Sequence, residues 1–139
     1  MRRPRAAALL SLPVALLLVA GCTKPPPEVT IQGGGTSLRS EPLRYNLDGK
    51  TVENREGPKV LAVRSGDTVN ISVDKKTADA GWLVLLNDKI TRIDRGQHHY
   101  AFPAPDFTNA PETSLVIFQQ PPAGGDAAGS WIFTLRQEI

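Results

Sequence analysis

Apolar and polar residues alternate along most of the chain after residue 41. The segment 68–73 places three apolar side chains on one face and Thr68, Asn70 and Ser72 on the other. This period of two is typical of a β-strand with one buried and one solvated face. Similar short runs predict further strands over residues 42–47, 50–53, 60–64, 82–86, 89–93, 98–102, 114–119 and 130–136.

Turn residues separate these predicted strands. Asp48-Gly49 and Asn87-Asp88 are short turn sequences that each favour a hairpin. Ser65-Gly66-Asp67 offers a positive φ and a capping side chain, so the pattern predicts that segments 60–64 and 68–73 pair as a hairpin. After the N-terminal segment no window has a helical period, and residues 74–80 have room for a single turn at most.

The number and length of the predicted strands indicate the fold class. Seven to nine short strands in roughly 100 residues predict an all-β fold, an immunoglobulin-like antiparallel β-sandwich. No cysteine lies in this part of the chain, so the sandwich is expected to have no disulfide. Trp82 and Trp131, on different strands, are expected to fill its core instead.

The N-terminal segment has the features of a secretory signal. Arginines at positions 2, 3 and 5 precede an apolar stretch, residues 6–20, which is too short to cross a bilayer. The sequence Val19-Ala20-Gly21-Cys22 resembles the lipobox of bacterial lipoproteins. The resemblance implies cleavage before Cys22 and lipid attachment to it, hence a protein held on the extracytoplasmic face of the cell membrane. The alternative, a free odd cysteine in a secreted chain, does not account for its position.

Composition divides the chain into three parts. Residues 1–21 are predicted to be the cleaved signal peptide, residues 22–40 the lipidated cysteine with a Pro- and Gly-rich tether, and residues 41–139 the β-sandwich domain. The alternation from Glu28 to Ile31 supports a second interpretation almost equally, in which these residues form a first edge strand.

Charge narrows the classes of partner. The chain has 16 Lys and Arg against 14 Asp and Glu, but three arginines lie in the signal, which leaves 13 against 14. Charges of both signs are mixed along the rest of the sequence, so the pattern predicts no basic patch of the kind that binds nucleic acid. We therefore expect no nucleic-acid partner.

A wider resemblance covers roughly residues 43–136. The lipobox, the short tether, the segment Val63 to Val73, residues 78–82 and the closing Trp131 strand resemble small lipoproteins of high-GC Gram-positive bacteria. That family has no established activity. The resemblance therefore implies a location and a sandwich, and it implies no catalytic residue.

The candidate chemical groups are few. His98 and His99 are adjacent, so in a strand their side chains point to opposite faces and one metal site does not easily use both. A cupredoxin-type copper site also needs a cysteine and usually a methionine. Because Cys22, the one cysteine, is expected to carry the lipid, we expect no such copper site. Four acids lie near predicted turns and are expected to cap backbone groups: Asp67, Asp79, Asp94 and Asp106. We expect no cofactor and no resident metal.

These observations favour a non-enzymatic binding or structural module of the cell envelope. Expected partners are the membrane, through the lipid, and a protein, glycan or lipid of the envelope, with the chain itself a monomer. Residues 103–113 and 120–129 are the candidate binding loops, where Phe107 is either a plug over the core, which we favour, or an exposed anchor for a partner. The alternative function is an envelope enzyme or metal carrier with a site around His98, His99 and nearby acids.

Overall fold

The protein is a sandwich of two β-sheets. The computed structural model describes residues 26–47, 50–121 and 127–139. These ranges contain eleven strands and one short helix: β1 (Val29–Gly33), β2 (Thr36–Ser40), β3 (Arg44–Leu47), β4 (Lys50–Glu53), β5 (Lys59–Val63), β6 (Thr68–Ser72), α1 (Lys75–Ala80), β7 (Trp82–Leu86), β8 (Lys89–Ile93), β9 (His99–Pro103), β10 (Glu112–Gln119) and β11 (Gly129–Gln137).

The smaller sheet, sheet A, has the strand order β2-β1-β6-β9 and is antiparallel throughout. The larger sheet, sheet B, has the order β4-β3-β11-β10-β7-β8, and β5 adds to β11 as its one parallel strand. The all-β sandwich is thus confirmed, and the chain's single cysteine leaves it without an internal disulfide.

The eleven strands of the described ranges are two more than the expected maximum of nine. The additional two, β1 and β2, lie in the segment assigned to the tether. Gly34 and Gly35 adopt φ values of +57° and +77° and close a two-residue hairpin between β1 and β2. β1 lies inside sheet A, between β2 and β6, and Val29 and Ile31 are completely buried. The domain therefore begins before residue 29 and not at residue 41. The alternative interpretation of residues 28–31 as a strand is confirmed, although that strand lies inside sheet A and not at its edge.

The predicted hairpin of residues 60–64 and 68–73 is wrong, although both strands exist. β5 pairs with β11 in sheet B, whereas β6 pairs with β1 and β9 in sheet A. The bend itself is as tight as expected, because Asp67 accepts the backbone N–H of Arg64 at 2.9 Å and Gly66 has a φ of +84°. The turn therefore carries the chain from one sheet to the other.

The two tryptophans fill the core from sheet B, as expected. Trp82 and Trp131 are completely buried, and each indole N–H donates to a carbonyl oxygen, that of Gln97 at 2.8 Å and that of Pro27 at 3.1 Å. A buried polar pair lies beside them, where the Thr77 hydroxyl donates to Gln119 Oε1 at 3.2 Å. Both polar groups are thereby satisfied, which keeps their burial from being costly.

Several other predictions hold. β7 lies inside sheet B between β10 and β8, and Asn87 and Asp88 form the β7–β8 turn with φ values of +50° and +62°. Positive φ at both central residues is typical of a type I′ hairpin turn. One helix forms among the described residues, α1, and its six residues exceed the single turn expected there. It begins where Asp74 accepts the N–H of Thr77 at 2.9 Å.

The sandwich has two distinct ends. At the N-terminal end lie the start of β1, helix α1, the residues before β9 and the start of β11. At the far end lie the β1–β2 turn, the turn 64–67, the β7–β8 turn and the loop 104–111. Asp67 and Ala104 link two of these far-end segments through a backbone hydrogen bond of 2.7 Å.

Candidate functional site

The two histidines do not form a common site. His98 is half-buried with Nδ1 3.4 Å from the Val73 carbonyl oxygen, whereas the exposed His99 has Nδ1 3.0 Å from Ser72 Oγ. Their ring centroids lie 6.4 Å apart at an interplanar angle of 47°. Within the described ranges, no group of three or more His, Cys, Asp and Glu residues is placed to hold a metal ion.

The contact between Ser72 and His99 has a strand-pairing origin. The two residues face each other across β6 and β9, and both side chains lie on the outer face of sheet A. A nucleophile needs a base that a third group orients. In the described part of the chain, His99 forms no hydrogen bond with a carboxylate. This geometry is that of a cross-strand surface pair.

Two of the four acids near turns, Asp67 and Asp106, cap backbone groups. Asp106 accepts the backbone N–H of Thr108 at 3.0 Å, and the side-chain and backbone hydrogen bonds with Thr108 lower the pKa of Asp106. Asp67 caps Arg64 as described above, so the capping role expected for these two acids is confirmed. Asp79 instead accepts a hydrogen bond from Lys75 and raises the pKa of that lysine, through the bond first and their charge attraction second.

Phe107 is a plug and not a surface anchor. Its side chain is 5% exposed and belongs to the hydrophobic core, with Ala104 and Phe102 in the same cluster. A shallow groove of about 320 Å³ runs beside it, between the loop 105–110 and Asn87. The interpretation of Phe107 as an exposed partner contact is therefore wrong. Its buried side chain closes the far end of the core. The Gln120–Gly129 loop lies partly outside the described residues.

A polar groove of about 380 Å³ crosses the outer face of sheet A at the far end. The strand register creates it: Gln32 of β1 lies between Ser37 of β2 and Asn70 of β6. Thr68 lies two residues along β6 on the same face, and the glycines of the β1–β2 turn leave the end of the groove open. We call this the polar groove; its lining residues are Gln32, Gly33, Gly34, Gly35, Thr36, Ser37, Thr68 and Asn70.

The polar groove is electrically neutral. Every side chain that lines it carries a hydroxyl or a carboxamide, groups that both donate and accept hydrogen bonds. The nearest charged residue on the same strands, Arg39, lies toward the N-terminal end of the sandwich and pairs with Glu28 at 3.3 Å. The groove therefore suits a neutral ligand rich in hydroxyl groups better than an ion.

Sequence reasoning located one wall of the groove and missed the rest. The alternation in 68–73 identified Thr68 and Asn70 as a solvated face. Gln32 and Ser37 were missed because their segment was assigned to a tether. The glycines at 34 and 35, between two short alternating runs, were the signal for the missing hairpin.

The chain enters the sandwich at the end opposite the groove. The Pro27 carbonyl oxygen is tied to Trp131, and β1 runs from there toward the groove. Cys22, the predicted lipid attachment point, lies outside the described residues, five positions before Pro27. Among the helices of the described ranges, none has the length and apolar character needed to cross a membrane.

Comparison with family models, with curated proteins and with solved structures finds no match to this chain.

Proposed function

We propose that the protein is a lipid-anchored binding module on the extracytoplasmic face of the cell membrane, without enzymatic activity. The polar groove is its ligand site. The observation that carries the proposal is the position of this groove at the end of the sandwich opposite the point where the chain arrives from Cys22.

The distance from the anchor to the domain supports a fixed orientation. Only four residues separate Cys22 from Pro27, whose carbonyl oxygen is held by the buried indole of Trp131. Five Cα-to-Cα steps of at most about 3.6 Å reach no farther than about 18 Å. A lipid on Cys22 would therefore keep the N-terminal end of the sandwich at the membrane and present the groove away from it.

The chemistry of the groove supports a glycan as the ligand. Gln32 and Asn70 lie side by side, and each carboxamide offers two donors and one acceptor oxygen. Hydroxyls of Ser37 and Thr68 flank them. Such a set matches the donor and acceptor hydroxyls of a neutral sugar chain, which is abundant in a bacterial envelope. An anionic ligand would find no cation along these lining residues.

The anchor is tested by the intact mass of the protein isolated from its host membrane, with a Cys22→Ala variant beside it. We expect the native protein to begin at Cys22 and to carry added acyl mass, and the variant to lose that mass and the membrane association. A native protein with an unmodified thiol at Cys22, or one that retains residues 1–21, would overturn the anchor and the orientation argued from it.

A further inference from the structure

The sandwich is open along one side, between the edge strands β8 and β9. β8 is the outermost strand of sheet B, and β9 is the outermost strand of sheet A. A groove of about 210 Å³ lies between them. We call it the side groove; its lining residues include Val84, Leu86, Lys89, Thr91, Tyr100 and Phe102.

The register of the β7–β8 hairpin turns one wall of the side groove inward. Lys89 lies opposite Leu86, and Thr91 lies opposite Val84. Directly opposed residues of an antiparallel pair share one face of the sheet, and Val84 is buried, so this is the inner face. A lysine and a threonine therefore occupy inward positions of β8, where the alternation of a sandwich strand favours apolar residues.

β9 supplies the opposite wall. Tyr100 and Phe102 lie opposite Ile71 and Val69 of β6, which are completely buried, so both rings also face the inner side. The two rings are stacked, with centroids 5.9 Å apart and an interplanar angle of 24°. Tyr100 stays half-buried although it packs against the core. An aromatic surface is thus left partly uncovered inside the opening.

The polar groups of the side groove are hydrogen-bond donors and include a cation. They are the Lys89 ammonium group and the hydroxyls of Thr91 and Tyr100. The ion pairs formed among the described residues all involve other side chains. The side-chain hydrogen bonds found there likewise leave out these two hydroxyls. The lining includes no Asp or Glu, whereas the polar groove has no charge at all.

We propose that the side groove binds a small carboxylate with an apolar body. The body enters between the two sheets, against Val84, Leu86 and the rings of β9, and the carboxylate accepts hydrogen bonds from Lys89 and the neighbouring hydroxyls. An apolar pocket with a few convergent polar groups is the usual form of a small-molecule site. This site goes beyond the glycan proposed for the polar groove and does not depend on it or on the lipid anchor.

The size of the side groove limits the ligand. At about 30 Å³ for each non-hydrogen atom, a groove of about 210 Å³ holds about seven such atoms. The apolar body is therefore a single benzene ring or a chain of about six carbons, with the carboxylate at the rim beside Lys89. The aromatic acid and the short acyl acid share this chemistry, and the experiment separates them.

An NMR titration of the full chain tests the proposal, with Cys22→Ala present to remove the proposed lipid. The probes are benzoate, hexanoate and benzyl alcohol, which keeps the ring without the charge. We expect both acids to shift the signals of Val84, Thr91 and Tyr100 and to leave Thr68 of the polar groove unchanged. The Kd should be on the order of 1 mM, because so small a ligand buries little surface. Benzyl alcohol should bind about tenfold more weakly than benzoate, since it lacks a charge-assisted hydrogen bond.

Matched variants test the role of the cation. Lys89→Gln should weaken the binding of both acids by about tenfold and leave benzyl alcohol unaffected. Arg92→Gln is the control, because it removes a cation from the same strand but at a position opposite Leu83, on the outer face. It should leave the affinity unchanged. Tyr100→Phe keeps the ring, removes one donor and should weaken the binding of both acids by about fivefold.

The relative affinity of the two acids identifies the apolar body, and tighter binding of either one supports the site. Three results would overturn the proposal. They are no shift of the groove signals at about ten times the expected Kd, equal affinity for benzyl alcohol and benzoate, and equal effects of Lys89→Gln and Arg92→Gln. In the first case Lys89 serves only to keep edge strand β8 from pairing with another chain. None of these results bears on the lipid at Cys22 or on glycan retention, which are measured separately.

Discussion

The indole N–H of Trp131 donates a hydrogen bond of 3.1 Å to the carbonyl oxygen of Pro27, a residue 104 positions earlier in the chain. This bond ties the segment that precedes β1 to the first part of β11, and so joins sheet A to sheet B at the N-terminal end. It also fixes where the chain leaves the domain toward Cys22.

Replacing Trp131 with Phe should therefore destabilise the protein and loosen its N-terminal segment. The Pro27 carbonyl would lose a buried partner, which costs about 1 to 3 kcal/mol in the free energy of unfolding. Chemical denaturation measures that loss. Limited proteolysis should in addition reveal faster cleavage at residues 23–28.

Trp82→Phe is the matched control for this prediction. It removes an equivalent indole hydrogen bond, to the Gln97 carbonyl oxygen, from the same core. We expect a similar loss of stability without faster cleavage of the N-terminal segment under native conditions. Equal cleavage of the two variants would contradict the role assigned to the contact between Trp131 and Pro27.

Gly129, the first residue of β11, has no room for a side chain. A Cβ atom there would lie 2.7 Å from Tyr45 Cδ2 and 3.0 Å from Trp131 Cη2. Gly129→Ala should lower the free energy of unfolding by about 1 to 3 kcal/mol, the usual cost of overpacking. Gly57→Ala is the control, because a Cβ at Gly57 meets nothing within 4 Å and should change stability little. Equal effects of the two substitutions would refute the packing argument.

The ion pair of helix α1 predicts a local pH effect. Asp79 raises the pKa of Lys75 above its ordinary value of 10.5, so the pair contributes fully below that pH and is lost as pH rises through the folded-state pKa. Asp79→Asn should return the pKa of Lys75 toward its ordinary value. Titration of the lysine side chain by NMR measures this, with Glu56→Gln as a substitution elsewhere. An unchanged Lys75 pKa in the Asp79 variant would contradict the assignment.

The polar groove predicts loss of glycan binding when its carboxamides are removed. Gln32→Ala and Asn70→Ala should each weaken retention of the protein on insoluble cell-envelope glycan, by about fivefold to tenfold if one or two hydrogen bonds are lost. Ser114→Ala, on the outer face of sheet B, is the control and should leave retention unchanged. Equal retention of all three variants and the native protein would exclude the groove as the glycan site.

The strands were predictable wherever local chemistry decided them. The β7–β8 hairpin follows from two alternating segments and a two-residue turn, information that lies within twelve positions. The plug role of Phe107 also followed, because an isolated large apolar residue in a polar loop gains most by burial.

The pairing partners of β5 and the walls of the groove were not predictable in the same way. Ser65-Gly66-Asp67 specifies a sharp bend, and a sharp bend fits a hairpin and a crossing between sheets equally well. What decides is β11, whose residues 133–137 pair with β5 some seventy positions later in the chain. The groove likewise needs Gln32 beside Asn70, a contact that only the pairing of β1 with β6 creates.

The position of β11 has a consequence for how the molecule folds. This strand is the last along the 139 residues, yet it lies between β10 on one side and both β3 and β5 on the other. Until it is available, β3, β4 and β5 have no connection to the rest of sheet B, and the Pro27 carbonyl oxygen lacks its indole partner. Folding must then close chain loops of about seventy to one hundred residues, which is entropically slow. Sheet A needs no part of β11, whereas sheet B is expected to be completed, and tied to Pro27 of the segment before β1, only after residue 137 has emerged.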